Sequence, residues 1–323
     1  MIGGRKTPEA DGIVYDAYDG NWVDHRAPAR LRPLLRLSRA DRPIGTWLLL
    51  MPCFWGIALA ANATGGFVWW DLWLVIGCTI GSFLMRGAGC TWNDITDRKF
   101  DAAVARTRSR PIPSGQISAK GALVWAVVQC LISLLILLTF NAAAIWLGVL
   151  SLAPVAVYPF AKRFTWWPQV FLGLAFNWGA LLAWTAHTGS LGLPAVLLYV
   201  GGISWTLFYD TIYAHQDKED DVLIGVKSTA RLFAEKTPQY LLGFLVIATT
   251  LMVLAVLAAL LPNGASGRQL LLCLCGPLVF AAHMGWQLWQ LDIDNPDLCL
   301  KLFRRAQKAG LFAALFFAVG AIV

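Results

Sequence analysis

The chain has 323 residues, of which 58% are hydrophobic and 14% charged, with a mean hydropathy of +0.60. A soluble domain carries about 25% charged residues, so this composition excludes one and indicates a polytopic membrane protein. The net charge of +7 does not point to nucleic acid, because the cations fall in blocks between apolar runs, the arrangement that orients helices in a bilayer.

Residues 1–40 read as a polar cytoplasmic arm of mixed charge ending in a basic interfacial helix from Arg30 to Arg39. The arm has no apolar signal-peptide core, and its acidic residues argue against a transit peptide. From Arg42-Pro43-Ile44-Gly45 onward the apolar runs reach the ~20 residues that a helix needs to cross a bilayer. The hydropathy pattern predicts nine spans, near 43–63, 70–92, 120–140, 142–161, 168–187, 192–213, 238–261, 268–290 and 306–323. Trp69, Trp70, Trp73, Trp166, Trp167 and Trp289 mark span ends as interfacial anchors.

The connections alternate in charge. Residues 93–119, 162–167, 214–237 and 291–305 hold lysines and arginines, whereas those near 64–69, 141, 188–191 and 262–267 hold none. The positive-inside rule puts the first set and the amino terminus in the cytoplasm, and the carboxyl terminus opposite. Seven cysteines show no metal-binding spacing beside histidine and read as small core residues. His187, His215 and His283 read as loop, interfacial or packing residues, and the Gly87 and Gly89 pair as a place where helices approach closely.

Two acidic stretches organise the chain. The first, Asn93-Asp94-Ile95-Thr96-Asp97-Arg98-Lys99-Phe100-Asp101, follows the second span and leads to Arg106, Arg108 and Arg110. Asp94, Asp97 and Asp101 fall at i, i+3 and i+7, one face of a helix. Like charges so stacked repel unless a cation joins them, and hard carboxylate oxygens suit magnesium, which shares its remaining positions with water and substrate phosphates. The second stretch follows the sixth span: Asp210, Asp217 and Asp221 lie at i, i+7 and i+11, with Lys227 beyond. Four spans separate the stretches, so the chain reads as two similar four-helix halves plus a last helix, each half delivering carboxylates to the same membrane face. Clusters facing each other there would hold divalent ions around a diphosphate.

With these motifs in hand the chain resembles the UbiA superfamily of intramembrane prenyltransferases, most closely its 4-hydroxybenzoate branch in ubiquinone synthesis. The likeness rests on Asp41-Arg42-Pro43-Ile44-Gly45, the first aspartate motif through Arg110-Pro111, Tyr158-Pro159-x-x-Lys162-Arg163, and Asp210-Thr211-x-Tyr213-Ala214-x-x-Asp217-x-x-x-Asp221 through Lys227-Ser228. It implies an all-α membrane protein: nine transmembrane helices around a central cavity, open to lipid and capped on the cytoplasmic side by the aspartate-rich loops. The arm would be residues 1–40 and the catalytic domain 41–323.

The resemblance further implies magnesium held by Asn93, Asp94, Asp97, Asp101, Asp210, Asp217 and Asp221. Lys99, Arg106, Arg110, Lys162 and Lys227 would stabilise charge on the leaving diphosphate. Arg42, Arg86 and Arg163 are candidates for the acceptor's carboxylate, and Asp210 for orienting or deprotonating its phenol. Arg86 stands out because a cation that deep in a span is costly. Tyr158, Tyr213 and Asn177 complete the candidate substrate-binding set, with packing an equal alternative for Asn177. The substrates implied are a polyprenyl diphosphate and 4-hydroxybenzoate; membrane lipid and other ubiquinone-pathway enzymes are the implied partners, and nucleic acid is not one. The implied location is a bacterial inner membrane, or the mitochondrial inner membrane in a eukaryote. Other aromatic acceptors remain open as an alternative, as does a secondary transporter, although a transporter would place its charges near mid-membrane.

Overall fold

The computed structural model describes residues 13–14, 17–18, 20–104, 107–218, 222 and 225–323, and helix is the only regular structure among them. Two short helices, α1 (Trp22–His25) and α2 (Arg32–Leu37), precede the long ones: α3 (Ile44–Ala63), α4 (Trp69–Ala103), α5 (Ala119–Leu137), α6 (Ala142–Leu150), α7 (Leu152–Phe164), α8 (Pro168–Phe176), α9 (Trp178–Thr188) and α10 (Leu193–Ala214). After a 3₁₀ turn at His215–Asp217 come α11 (Thr229–Phe233), α12 (Thr237–Leu260), α13 (Gly267–Trp289) and α14 (Pro296–Gly320).

Local chemistry sets the helix starts. Proline opens α8, α10, α12 and α14 in the first turn, where a missing N–H costs nothing. Asn141, Ser228, Ser266 and Asn295 cap α6, α11, α13 and α14 by accepting a backbone N–H through the side chain. Two runs expected as single spans are each built from two helices, α6 with α7 and α8 with α9. The second break falls at Asn177, whose Nδ2 donates to Gly173 O at 2.9 Å and Thr206 Oγ1 at 2.8 Å.

Among the described residues, eight helical segments are long and apolar enough to cross a membrane, and the chain is an integral membrane protein. The ninth expected span corresponds to α14, whose length of 25 residues would suffice. Its charges, Lys301, Arg304, Arg305 and Lys308, reach too far along the helix to leave an uncharged run of spanning length. At 35 residues, α4 is about 52 Å long and exceeds the ~30 Å hydrocarbon core. The helix that crosses therefore continues unbroken through the first aspartate stretch.

The chain divides into two compact units, Met1–Gly45 with Gly81–Leu135 and Thr46–Ile80 with Ile136–Val323. In the first, Val23, Ala27 and Ala40 form a small core with Leu35 and Phe83, and Trp22 Nε1 donates to Ala40 O at 3.1 Å. The basic segment here is not a surface helix. Helix stops at Leu37, and Arg36 and Arg39 are buried. Gly87 lets α4 meet its neighbours: an added Cβ would overlap Gln129 Oε1 and stand 2.9 Å from Ser38 Oγ, the two atoms that form a buried hydrogen bond.

In the second unit α10 packs on α8, α9, α12 and α14, and α13 packs on α12 and α14. Trp55, Trp205 and Phe280 form its aromatic centre. Trp55 Nε1 donates to Gly310 O at 2.7 Å, and Asn62 Nδ2 to Phe317 O at 2.6 Å, tying α3 to α14. His187 joins Asp71 Oδ1 at 2.5 Å to Thr64 Oγ1 at 2.7 Å. The seven cysteines are all free; five are buried, with Cys130 and Cys275 partly exposed.

Candidate active site

In the first unit the sequence spacing becomes a buried acidic face. Asp94, Asp97 and Asp101 are 0%, 1% and 6% exposed, while Arg98, Lys99 and Phe100 between them are exposed. Asn93 is half-buried.

Buried carboxylates need counter-charge, and arginines from two segments supply it. Arg39 Nη2 donates to Asp94 Oδ1 at 2.6 Å, and Arg110 Nη1 reaches the same oxygen at 3.3 Å. Arg110 also donates to both oxygens of Asp101 at 3.1 Å. The loop after α4 is folded back by Thr107, whose hydroxyl donates to Asp101 O at 2.9 Å. Asp94 Oδ2 is buried without a hydrogen-bond partner among the described residues.

Arg39 has a left-handed backbone, φ 57°, a conformation disfavoured for a side chain this large. Its Nη1 donates to Arg36 O at 3.2 Å. Arg36 in turn donates to Asp24 Oδ1 at 2.7 Å and to Gln116 Oε1 at 2.9 Å. The attraction of Asp94 outweighs the cost of burial and raises the Arg39 pKa, so its guanidinium stays charged. Asp41, 1% exposed, has no hydrogen-bond partner on either oxygen among the described residues, although Arg42 Nε lies 3.8 Å from Oδ1. Burial pushes its pKa up to about 6, with Arg39 opposing. Neither Arg39 nor Asp41 was a candidate site residue on sequence: Arg39 was counted with the basic arm, and Asp41 only with the motif that carries the family resemblance. The available signal was bookkeeping of charge: three carboxylates on one buried face demand cations, and Arg39 lies in the short turn before the Arg42-Pro43 motif.

Arg42 and Arg86 are half-buried in the same unit. The Arg86 guanidinium lies against Gly45, where an added Cβ would stand 2.5 Å from Nε and 2.7 Å from Cζ. Arg106 lies outside the described residues.

In the second unit Asp210 sits half-buried in the last turn of α10. Beside it, the Tyr213 ring stands 4.4 Å from that of Phe303, and Thr211 bonds Thr229 across to α11 at 2.6 Å. His215 Nδ1 faces Thr211 O at 2.9 Å, and burial lowers its pKa. The α-helical stripe expected from Asp210 to Asp221 does not continue unbroken, because the chain tightens into 3₁₀ at His215–Asp217, which has three residues per turn. The Asp217 side chain and the whole of Asp221 lie outside the described residues.

Lys162 and Lys227, 65 positions apart, come together. Lys227 N donates to Lys162 O at 3.2 Å and Lys227 Nζ to Phe164 O at 3.4 Å. Lys227 and Arg231 also lie over the Trp166 ring. Arg163 is exposed and stacks over Phe160, and Tyr158 is half-buried on the same helix. Asn177 is fully buried; its Nδ2 donates to Thr206, which is linked to Tyr209, while among the described residues its Oδ1 has no hydrogen-bond partner.

Among the described residues no three histidine, cysteine, aspartate or glutamate side chains are grouped so as to hold a metal ion. The first unit nonetheless has hard oxygen donors of the right kind, with Asp94 Oδ2 unused by any protein donor.

Residues 49–319 match the UbiA prenyltransferase family. The chain is 47% identical over 300 residues to the rat protein named 4-hydroxybenzoate polyprenyltransferase, mitochondrial, covering 92% of this chain and 77% of that one. The human protein of the same name is 46% identical, covering 91% and 76%. Among solved structures, a UbiA homologue from Archaeoglobus fulgidus bound to GPP and Mg2+ superposes with a TM-score of 0.62 at 18% identity, covering 89% of this chain and 98% of that one. An apo UbiA homologue from Aeropyrum pernix gives 0.61 at 23%, covering 86% and 96%. These structures share the fold, and the family match extends over most of the length; the chain belongs to the UbiA prenyltransferase family.

Proposed function

We propose that the chain is a magnesium-dependent prenyltransferase that moves a polyprenyl group from its diphosphate to the carbon ortho to the hydroxyl of 4-hydroxybenzoate, in ubiquinone biosynthesis. The observation that carries this reading is 46–47% identity, over more than nine-tenths of the chain, to proteins named for that reaction. The mitochondrial names of these relatives favour an energy-transducing inner membrane, and the charge alternation of the loops favours a cytoplasmic or matrix-facing site.

Asn93, Asp94, Asp97 and Asp101, with Asp210, Asp217 and Asp221, would hold the ion. Bound there, magnesium would neutralise charge on the diphosphate as a Lewis acid. Arg110, Lys162 and Lys227 would add positive charge toward that leaving group. The donor's C1–O bond breaks with its electron pair on the diphosphate, the ring carbon bonds to C1, and loss of that carbon's proton restores aromaticity. Apolar helix faces keep water from C1 in the interval. Asp210 would orient or deprotonate the phenol, and Arg86, with Arg42 and Arg163, would receive the carboxylate.

Purified protein given 4-hydroxybenzoate and polyprenyl diphosphates of several lengths should yield prenylated acid by mass spectrometry. Chelation should abolish the product and added magnesium restore it. Prenylation of a different aromatic acceptor with none of hydroxybenzoate overturns the acceptor, and product formed equally under chelation overturns the metal.

Gly45 tests the carboxylate assignment. Its Cα supports the Arg86 guanidinium, so Gly45→Ala pushes that end of a flexible side chain away. We expect the KM for 4-hydroxybenzoate to rise about tenfold, equivalent to ~1.4 kcal/mol, with the KM for donor unchanged. An unaltered acceptor KM would remove Arg86 from the acceptor site.

A further inference from the structure

We propose that Arg39 is a positioning residue for the metal ligand Asp94, pinning Oδ1 so that Oδ2 is the atom offered to the ion. The proposal rests on the magnesium reading above and goes beyond it, since neither Arg39 nor the division of labour between the two oxygens follows from the aspartate motif.

The two oxygens of Asp94 are not equivalent. Oδ1 takes Arg39 Nη2 at 2.6 Å and Arg110 Nη1 at 3.3 Å, whereas the fully buried Oδ2 has no hydrogen-bond partner among the described residues. A buried carboxylate oxygen left without a donor is costly, and a cation ligated there would satisfy it. Fixing one oxygen by a charged hydrogen bond sets the direction of the other, as partners behind a ligand do at metal sites.

Arg39 is itself held. Its Nη1 is tied to Arg36 O at 3.2 Å, and Arg36 is anchored to Asp24 and Gln116. Its backbone adopts φ 57°, which a glycine would take without strain. Local propensity does not favour an arginine there, and the bond to Asp94 supplies a reason for one. Arg110 cannot replace it, because Arg110 also serves both oxygens of Asp101.

The test is Mn2+ binding, followed by electron paramagnetic resonance with inorganic diphosphate present, in the full-length protein and its Arg39→Gly, Arg39→Lys and Asp94→Asn variants. Arg39→Gly relieves the backbone but leaves buried Asp94 with Arg110 as its remaining partner, so thermal melting checks that it folds, and Arg39→Lys, which keeps the charge, carries the test if it does not. Arg39→Gly should bind Mn2+ about 10- to 100-fold more weakly, the range seen when groups behind a metal ligand are removed. Arg39→Lys should recover part of the loss. Coulomb's law alone gives the opposite sign, since deleting a neighbouring cation favours a second one. Unchanged or tighter Mn2+ binding in Arg39→Gly therefore overturns the proposal. Absence of any saturable Mn2+ site in the parent, or equal binding in Asp94→Asn, overturns the underlying metal reading instead.

Discussion

Asp94→Asn lowers prenyl transfer by at least about 1,000-fold, the upper range for removing one electrostatic contact to a developing charge. The substitution keeps shape and volume but deletes a charge with two uses. One oxygen neutralises Arg39 and Arg110; the other is free of protein donors for an ion. Stability should fall as well, because a buried guanidinium deprived of its carboxylate costs about 3–5 kcal/mol. Arg110 keeps Asp101, so the loss should sit near the lower end and come chiefly from Arg39. Turnover by product mass spectrometry and melting in detergent separate the two effects. A folded variant within tenfold of normal turnover would show that the first stretch does not carry the chemistry.

The acidic face of α4 was legible because two independent patterns agree there. Spacing of i, i+3 and i+7 puts the three aspartates on one side, and no proline or glycine between Asp94 and Asp101 interrupts the helix. The structure buries that side and exposes Arg98 and Lys99 on the other. The second stretch was less legible. Its spacing also fits one stripe, yet α10 gives way to a 3₁₀ turn directly after Ala214, and a change of helical pitch leaves no mark in spacing alone.

The arginines from Arg30 to Arg39 read as an interfacial helix because such runs usually lie on lipid headgroups. Two of them are instead committed to Asp24 and Asp94, 12 and 55 positions away. Long-range pairing of this kind has no local periodicity, so only the count of buried carboxylates could have called for it. The same limit applies to Lys162 and Lys227, whose motifs could each be found but whose shared backbone hydrogen bond could not. The breaks inside the fourth and fifth apolar runs were hidden for another reason: hydropathy measures length and greasiness, and it does not register that Asn177 turns its own amide onto the carbonyl of Gly173 where one helix ends.

Asp41→Asn should stabilise the protein at neutral pH, by up to about 3 kcal/mol. The carboxyl is buried and, among the described residues, takes no hydrogen bond on either oxygen, with Arg42 Nε 3.8 Å from Oδ1, and burial lifts its pKa from 3.8 to about 6. A group whose pKa is higher folded than unfolded favours folding while protonated and loses that contribution as pH rises. For Asp41 the contribution is whole below pH ~4, declines between ~4 and ~6, and is gone above. Asparagine has no charge to desolvate, so its advantage should appear at pH 8 and vanish near pH 4. Melting curves of parent and variant at the two pH values test this directly. A variant that is destabilised at pH 8 would mean that the ionised carboxylate is held by Arg39 strongly enough to outweigh its burial. Retaining a carboxylate that the fold would be better without is expected where charge serves catalysis, and Asp41 stands two residues from the arginine that holds Asp94.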